Sequence, residues 1–235
     1  MQRDIAALSP ASVSYPIETA WSEAVQLRGG SGWTCAMWPA GQMMIVAPPY
    51  GTDTEPVAFV ANSRTGAWAR FKPWKIKSIC GFSNRIFIGS ENGQVLEANV
   101  GGTDSGSTYT ASYVPLYVDA GSPASLKIAG LARHTLRSRA APSPYVGCQF
   151  DWDSTLPAPP DAPLLASIPV WDSAIWDGSV WGATIETTTT ADWYSVGGRG
   201  YVLAPSLQIT SGSTVPLDVE VIRTDLMYQV AEVVT

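Results

Sequence analysis

The chain has 235 residues, of which 46% are hydrophobic and only 14% charged, with 14 basic against 20 acidic side chains and a formal net charge of −6. The hydrophobic share excludes a disordered chain, and the acidic excess argues against a grip on nucleic acid by phosphate neutralisation. Charge this far below the usual share of roughly a quarter leaves a neutral surface, which is more stable when covered by other subunits.

Residues 1–30 hold the clearest helical pattern. From Pro16 to Leu27, the residues Ile17, Trp21, Ala24 and Val25 fall near one face, and Gly29-Gly30 ends the run. A short turn is also expected at Asp4–Leu8. From Trp33 the pattern changes to strands and tight turns. Gln42–Ala47 reads as a buried strand ending at Pro48-Pro49, followed by Val57–Ala61, the turn Asn62–Gly66 and the return Ala67–Phe71. Lys77–Phe82, Arg85–Ser90 and Gln94–Asn99 follow, separated by turns at Ser83-Asn84 and Glu91-Asn92-Gly93; Asn-Gly between two such runs is a strong hairpin signal. This is a meander of the kind that builds propeller blades, barrels or sandwiches.

A further hairpin is expected at Gly101–Gly106, leading into Ser107–Tyr117. Its Asp104-x-Gly106-x-Thr108-Tyr109 spacing is close to the Asp-box turn of sialidase-like propellers, in which a carboxylate accepts turn amides above a packed aromatic ring. Residues 121–150 predict one or two strands, and the proline-rich stretch Leu156–Pro169 reads as an extended connector. Beyond it, Trp193–Val196, Gly200–Leu203, Ser206–Thr210 and Leu217–Ile222 read as strands. The chain is therefore expected to be mainly β, with antiparallel meander or propeller-like blades, a C-terminal β region and one short N-terminal helix. Its expected divisions are 1–30, a body over 31–150, a connector over 151–169 and a C-terminal region over 170–235.

The longest apolar runs, such as Met43–Ala47, are far too short to span a bilayer, and Met1-Gln2-Arg3-Asp4 lacks the layout of a signal peptide. Cys35, Cys80 and Cys148 are far apart and odd in number, which predicts reduced thiols buried in a core. The spacing Trp171-Asp172-x3-Trp176-Asp177-x3-Trp181 repeats every five residues, which fits neither a helix face nor a strand face. It reads as a set of anchors for packing a segment or a neighbouring subunit, with a sugar-binding platform as the other reading. Trp193, Trp68 and Trp74 join this set of packing residues. Asp151 and Asp153 flank Trp152 and read as a solvated edge or turn; the other reading, a glycosidase carboxylate pair, would need a sugar between them. A single histidine, His134, gives no zinc cluster and reads as part of a basic strand face with Arg133 and Arg137, and no GxSxG or GxxxxGK[ST] motif occurs. Val196-Gly197-Gly198-Arg199-Gly200 reads as a turn or bulge. Lys72, Lys75, Lys77, Arg133, Arg137 and Arg139 read as rim contacts or solvated positions. No catalytic residue, metal or cofactor is expected.

Taken in order, several blocks resemble the C-terminal part of podovirus-type tail tubular (nozzle) proteins. They are Ala61–Phe71, Arg85–Val95, Gly102–Gly106, the run from Val170 to Trp181, and Trp193–Gly200. The resemblance implies a propeller-containing structural subunit of the virion tail, made in the host cytoplasm. It also implies a ring, with a hexamer as the expected form, between portal-proximal adaptor and distal tail proteins. Phage DNA would pass through without specific binding, and no membrane span is expected. An acidic excess on the channel wall is expected, because it repels phosphate. The competing reading is a carbohydrate-binding or carbohydrate-cleaving tail component, which a glycan array would separate from the first.

Overall fold

A computed structural model of the chain describes residues 14–29, 31–51, 55–139, 141–163, 187–212 and 216–231. It divides into two compact units, Met1–Asn99 and Val100–Thr235. The chain therefore parts between Asn99 and Val100 and not at the proline-rich connector. The reason is pairing: strands before that connector take their partners from strands after it.

In the first unit a 3-10 turn at Tyr15–Ile17 leads into helix α1, Glu18–Arg28. Pro16 sits where a missing N–H costs nothing, and Gly29, at φ 75°, ends the helix with its N–H on the Val25 carbonyl. Strands β1 (Thr34–Trp38), β2 (Met43–Ala47), β3 (Ala58–Asn62) and β4 (Trp68–Phe71) form an antiparallel sheet in that order. Strands β5 (Ser78–Phe82), β6 (Arg85–Gly89) and β7 (Val95–Glu97) form a second. The β5–β6 turn is Ser83-Asn84, both with positive φ, as a two-residue hairpin requires.

Burial explains the layering. Ile45, Ala47, Ala58 and Val60 pack against Ile76, Ile86 and Ile88, while Val46 and Phe59 on the opposite face pack against Ala24, with Trp21 and Ile17 partly buried beside them. The central strands β2 and β3 are thus covered on both sides, which is why they read as continuous apolar runs. Val25, expected on the buried helix face, is exposed.

The second unit contains β8 (Tyr109–Tyr113), β9 (Lys127–Ser138), β10 (Tyr145–Phe150), β11 (Thr188–Thr190), β12 (Tyr194–Gly200), β13 (Leu203–Ser211) and β14 (Glu220–Val230). One sheet has the order β10-β13-β8. In the other, β9 is flanked by β14 and by the shorter β11 and β12. The two meet over Ala129, Ala132, Leu136, Val146, Cys148, Val196, Leu203, Leu207 and Ile209.

Strand β13 is buried at all nine positions. Leu203, Leu207 and Ile209 face the core, while Ser206, Gln208 and Thr210 form the other face. The extended segment 153–163 is fastened at two places beside this polar face. The Gln149 amide, turned to satisfy its neighbours, donates to the carbonyls of Asp153 and Thr155 at 3.3 and 3.2 Å. Farther along, the Cα of Gly212 lies against Ala162, leaving no room for a side chain.

The chain is mainly β and its sheets are antiparallel, as expected, with one short helix. Among the described residues the strands close neither a barrel nor a ring of blades. Strand β14 runs well past the expected Leu217–Ile222, and Gly197-Gly198 forms the expected bulge within β12, where the register against β9 shifts between Ser195 and Gly198.

Candidate functional site

The six basic positions picked out in the sequence are all occupied locally. Lys72 pairs with Glu55, Lys75 with Glu91 at 2.6 Å, Arg133 with Asp225 at 2.7 Å, Arg137 with Glu220 and Arg139 with Asp218 at 3.1 Å. Lys77 lies 3.9 Å from the centre of the Tyr50 ring. Register sets two of the pairs side by side: Arg133 opposes Asp225, and Arg137 opposes Glu220, on β9 and β14. The Arg133 and Arg223 guanidiniums, hydrogen-bonded to Asp225, hold its carboxyl below the usual range. Glu91 and Glu97 are lowered in the same way, chiefly by their bonds to Lys75 and Arg85. Cations already matched to carboxylates have little left to offer a phosphate backbone.

Asp151 and Asp153 do not form a catalytic pair. The Asp151 carboxylate accepts the amides of Tyr201 and Val202 at 2.7 and 3.3 Å, fixing the turn between β12 and β13. Asp153 accepts the Thr155 amide at 2.9 Å, and bonds to Thr155 hold its carboxyl below the usual range. Both act as turn clamps. Between them Trp152 stands 66% exposed, its ring 4.9 Å from that of Tyr117, whose hydroxyl donates to the Asp153 carbonyl at 2.6 Å. Trp152 itself was missed from the sequence; the signal available was an aromatic residue between two turn-forming aspartates.

His134 is buried between the sheets. Its Nε2–H donates to the Ser206 carbonyl at 3.3 Å, so Nδ1 accepts from the Thr224 hydroxyl at 2.9 Å, and burial pushes its pKa down. It lies in the core, and not on a basic strand face with Arg133 and Arg137. Lys127, fully buried, donates to three carbonyls: Ser122, Ser125 at 3.0 Å and Tyr201 at 2.7 Å. Of the cysteines only Cys148 is in a core, where burial pushes its thiol up to about 11; Cys35 and Cys80 are exposed on β1 and β5, contrary to expectation. Their strands turn those positions away from the apolar cluster that Ala36 and Ile79 face.

The tryptophans proposed for packing divide three ways. Trp68 packs with Trp21 in the helix-facing cluster, and Trp74 meets Phe71 edge-on at 4.9 Å, so both serve the interior of the first unit. Trp193 is 41% exposed and carries the Arg133 guanidinium 4.6 Å from its ring centre. Trp171, Trp176 and Trp181 lie outside the described residues. The Asp104–Gly106 turn is closed by reciprocal backbone bonds between Asp104 and Ser107, both 2.8 Å, while Tyr109 is exposed on β8 and does not pack beneath it.

Among the described residues no group of three or more His, Cys, Asp or Glu side chains could hold a metal ion, and no helix is long and apolar enough to cross a membrane. No protein-family model, curated protein or solved structure matches the chain.

Proposed function

We propose that the chain is a structural subunit of an oligomeric ring in a bacteriophage tail, forming part of the channel through which the genome leaves. In this reading the two consecutive meander sheets of the first unit are propeller-type blades, and identical copies stand side by side around the channel. The resemblance of the ordered sequence blocks to nozzle proteins points the same way.

The observation that carries the reading is the outer strand β14. Among the described residues its eleven positions lie at the edge of their sheet, with Val221, Ile222, Met227, Tyr228 and Val230 all exposed. A long edge carrying that much apolar surface favours pairing with another chain. Pairing of Lys72, Lys75, Arg133, Arg137 and Arg139 with carboxylates suits a conduit that must not retain DNA.

Native mass spectrometry of the full chain, with imaging and peptide mapping of phage particles that carry it, tests this. A ring of copies, six being the expected number, located in the tail supports the proposal. A stable monomer that is absent from particles overturns it.

A further inference from the structure

The first unit contains two asparagine turns that are fastened very differently. In the turn Asn62–Gly66 the Asn62 side chain accepts the amides of Arg64 and Thr65 at 2.9 and 3.0 Å. Backbone bonds close it as well, from Asn62 to the Ala67 carbonyl at 2.8 Å and from Gly66 to the Asn62 carbonyl at 2.9 Å. In the turn Ser90–Gln94, between β6 and β7, one short bond of 2.9 Å runs from the Ser90 N–H to the Gln94 carbonyl. The Gly93 N–H meets the Ser90 carbonyl, and the Gln94 N–H the Ser90 hydroxyl, only at 3.3 Å. No hydrogen bond joins the Asn92 side chain to any of the described residues.

The residue after an asparagine decides what its amide can do. The next backbone nitrogen can attack the side-chain amide carbon and close a succinimide ring, and a side chain on that next residue crowds the approach. Asn62, Asn84 and Asn99 are followed by Ser63, Arg85 and Val100. Asn92 alone precedes a glycine, and Gly93, at φ 75°, has open space where a Cβ would stand. Both residues are exposed, so water reaches them.

We propose that Asn92 is a self-modifying position: it converts through a succinimide with Gly93 to aspartate and isoaspartate, and the isoaspartate form frees β7 from β6. In the first step the Gly93 nitrogen passes its proton to hydroxide and bonds to Cγ of Asn92. The Cγ–Nδ2 bond breaks, and the departing nitrogen takes a proton from water to leave as ammonia. Water then adds to either ring carbonyl and opens the ring; nothing is oxidised or reduced. One opening restores the ordinary backbone with an aspartate side chain. The other routes the chain through Cβ and Cγ and so lengthens the turn by a backbone carbon.

Both products place a new carboxylate beside Glu91, which holds Lys75 at 2.6 Å, so two carboxylates compete for one ammonium. The longer turn bears on β7, whose three residues Val95–Glu97 pair with Gly89, Ile88 and Phe87. Val95 and Leu96 are exposed, so little burial holds this strand against a displaced turn. Nothing in this chemistry depends on assembly into a ring.

The test is mass spectrometry of the full chain held in mildly alkaline buffer, with peptide mapping and enzymatic methylation of isoaspartate. Asn92 is expected to convert at least about tenfold faster than Asn62, Asn84 or Asn99, each event adding about 1 Da. Asn92→Gln keeps an amide but must close a larger, slower ring, so it should abolish the conversion while melting with the wild type. In the isoaspartate fraction, β7 amides should exchange at least about tenfold faster than in fresh protein, with β2 and β3 unchanged. A mass gain that persists in Asn92→Gln overturns the assignment of the site. An Asn92 peptide that keeps its mass in the folded chain but converts in urea shows that the turn protects it, and overturns the proposal. Conversion at Asn62 as fast as at Asn92 overturns the contrast between the turns. Isoaspartate at position 92 with β7 exchange unchanged overturns the release of that strand.

Discussion

The two units solve the problem of strand register differently. In the first, each strand pairs with its neighbour in sequence, and the main core cluster of Ile45, Ala47, Ala58, Val60, Ile76, Ile86 and Ile88 is wholly apolar. In the second, β9 takes partners from residues 188–230, and the buried set includes Lys127, His134, Ser138, Ser206 and Gln208. Local pairing lets tight turns set register, so apolar contact is sufficient. Distant strands lack that guide, and buried polar groups can supply it, because a slipped register would leave them without partners.

Removing the Lys127 ammonium should break this comparison most sharply. Lys127→Met keeps the volume but strands the carbonyls of Ser122, Ser125 and Tyr201, which hold the start of β9 and the β12–β13 turn together. The expected cost is about 3 kcal/mol or more, confined to the second unit. Native-state hydrogen exchange would show lost protection in β9, β12 and β13 with β2 and β3 unchanged. Equal loss in both units would mean that the polar set does not divide them.

A smaller effect separates two glycines that look alike in sequence. Gly198, in the bulge of β12, has φ 155°, and a Cβ there would overlap the Phe150 ring. Gly66, in the Asn62–Gly66 turn, has φ 72° but open space around it. Gly198→Ala should cost about 2 kcal/mol or more through strain and overpacking, and Gly66→Ala about 1 kcal/mol through conformation alone. Urea unfolding of each variant measures the difference, and equal costs would show that the Phe150 contact relaxes away.

This contrast also explains what the sequence made legible. Turns at Ser83-Asn84 and Asn62–Gly66 were readable because turn residues act within a few positions, and strands β2 to β6 followed within a residue or two of their bounds. The sheets of the second unit were not readable, since nothing near Lys127 names Val230 or Gly200 as its opposite residue. The buried strand β13 was underestimated because its second face is polar, covered without being apolar. At the candidate site, Asp151 and Asp153 drew attention for their carboxylates. Their structural role depends on amides 50 residues away in one case and two in the other, and only the second lay within reach of local reasoning.

The mildest test uses acidity, because the only histidine of the chain lies in the second unit. Burial lowers the pKa of His134, so the folded state favours the neutral ring and the unfolded chain takes up a proton first. The stability tied to the neutral ring is complete above about pH 6.5 and is lost as pH falls below that value, with a limiting slope of about 1.4 kcal/mol per pH unit. The carboxyls lowered by pairing or turn bonds, Glu91 and Glu97 in the first unit and Asp153 and Asp225 in the second, contribute only at more acidic pH, below about 4.5. Between about pH 6.5 and 5 the second unit should therefore weaken alone, read as faster exchange of β9 and β13 amides against a steady β2 and β3. His134→Gln should flatten that response, since an amide can bond to Ser206 and Thr224 without titrating. A slope that persists in His134→Gln, or one shared equally by β2 and β3, would place the acid sensitivity outside the polar core and remove the chemical distinction between the two units.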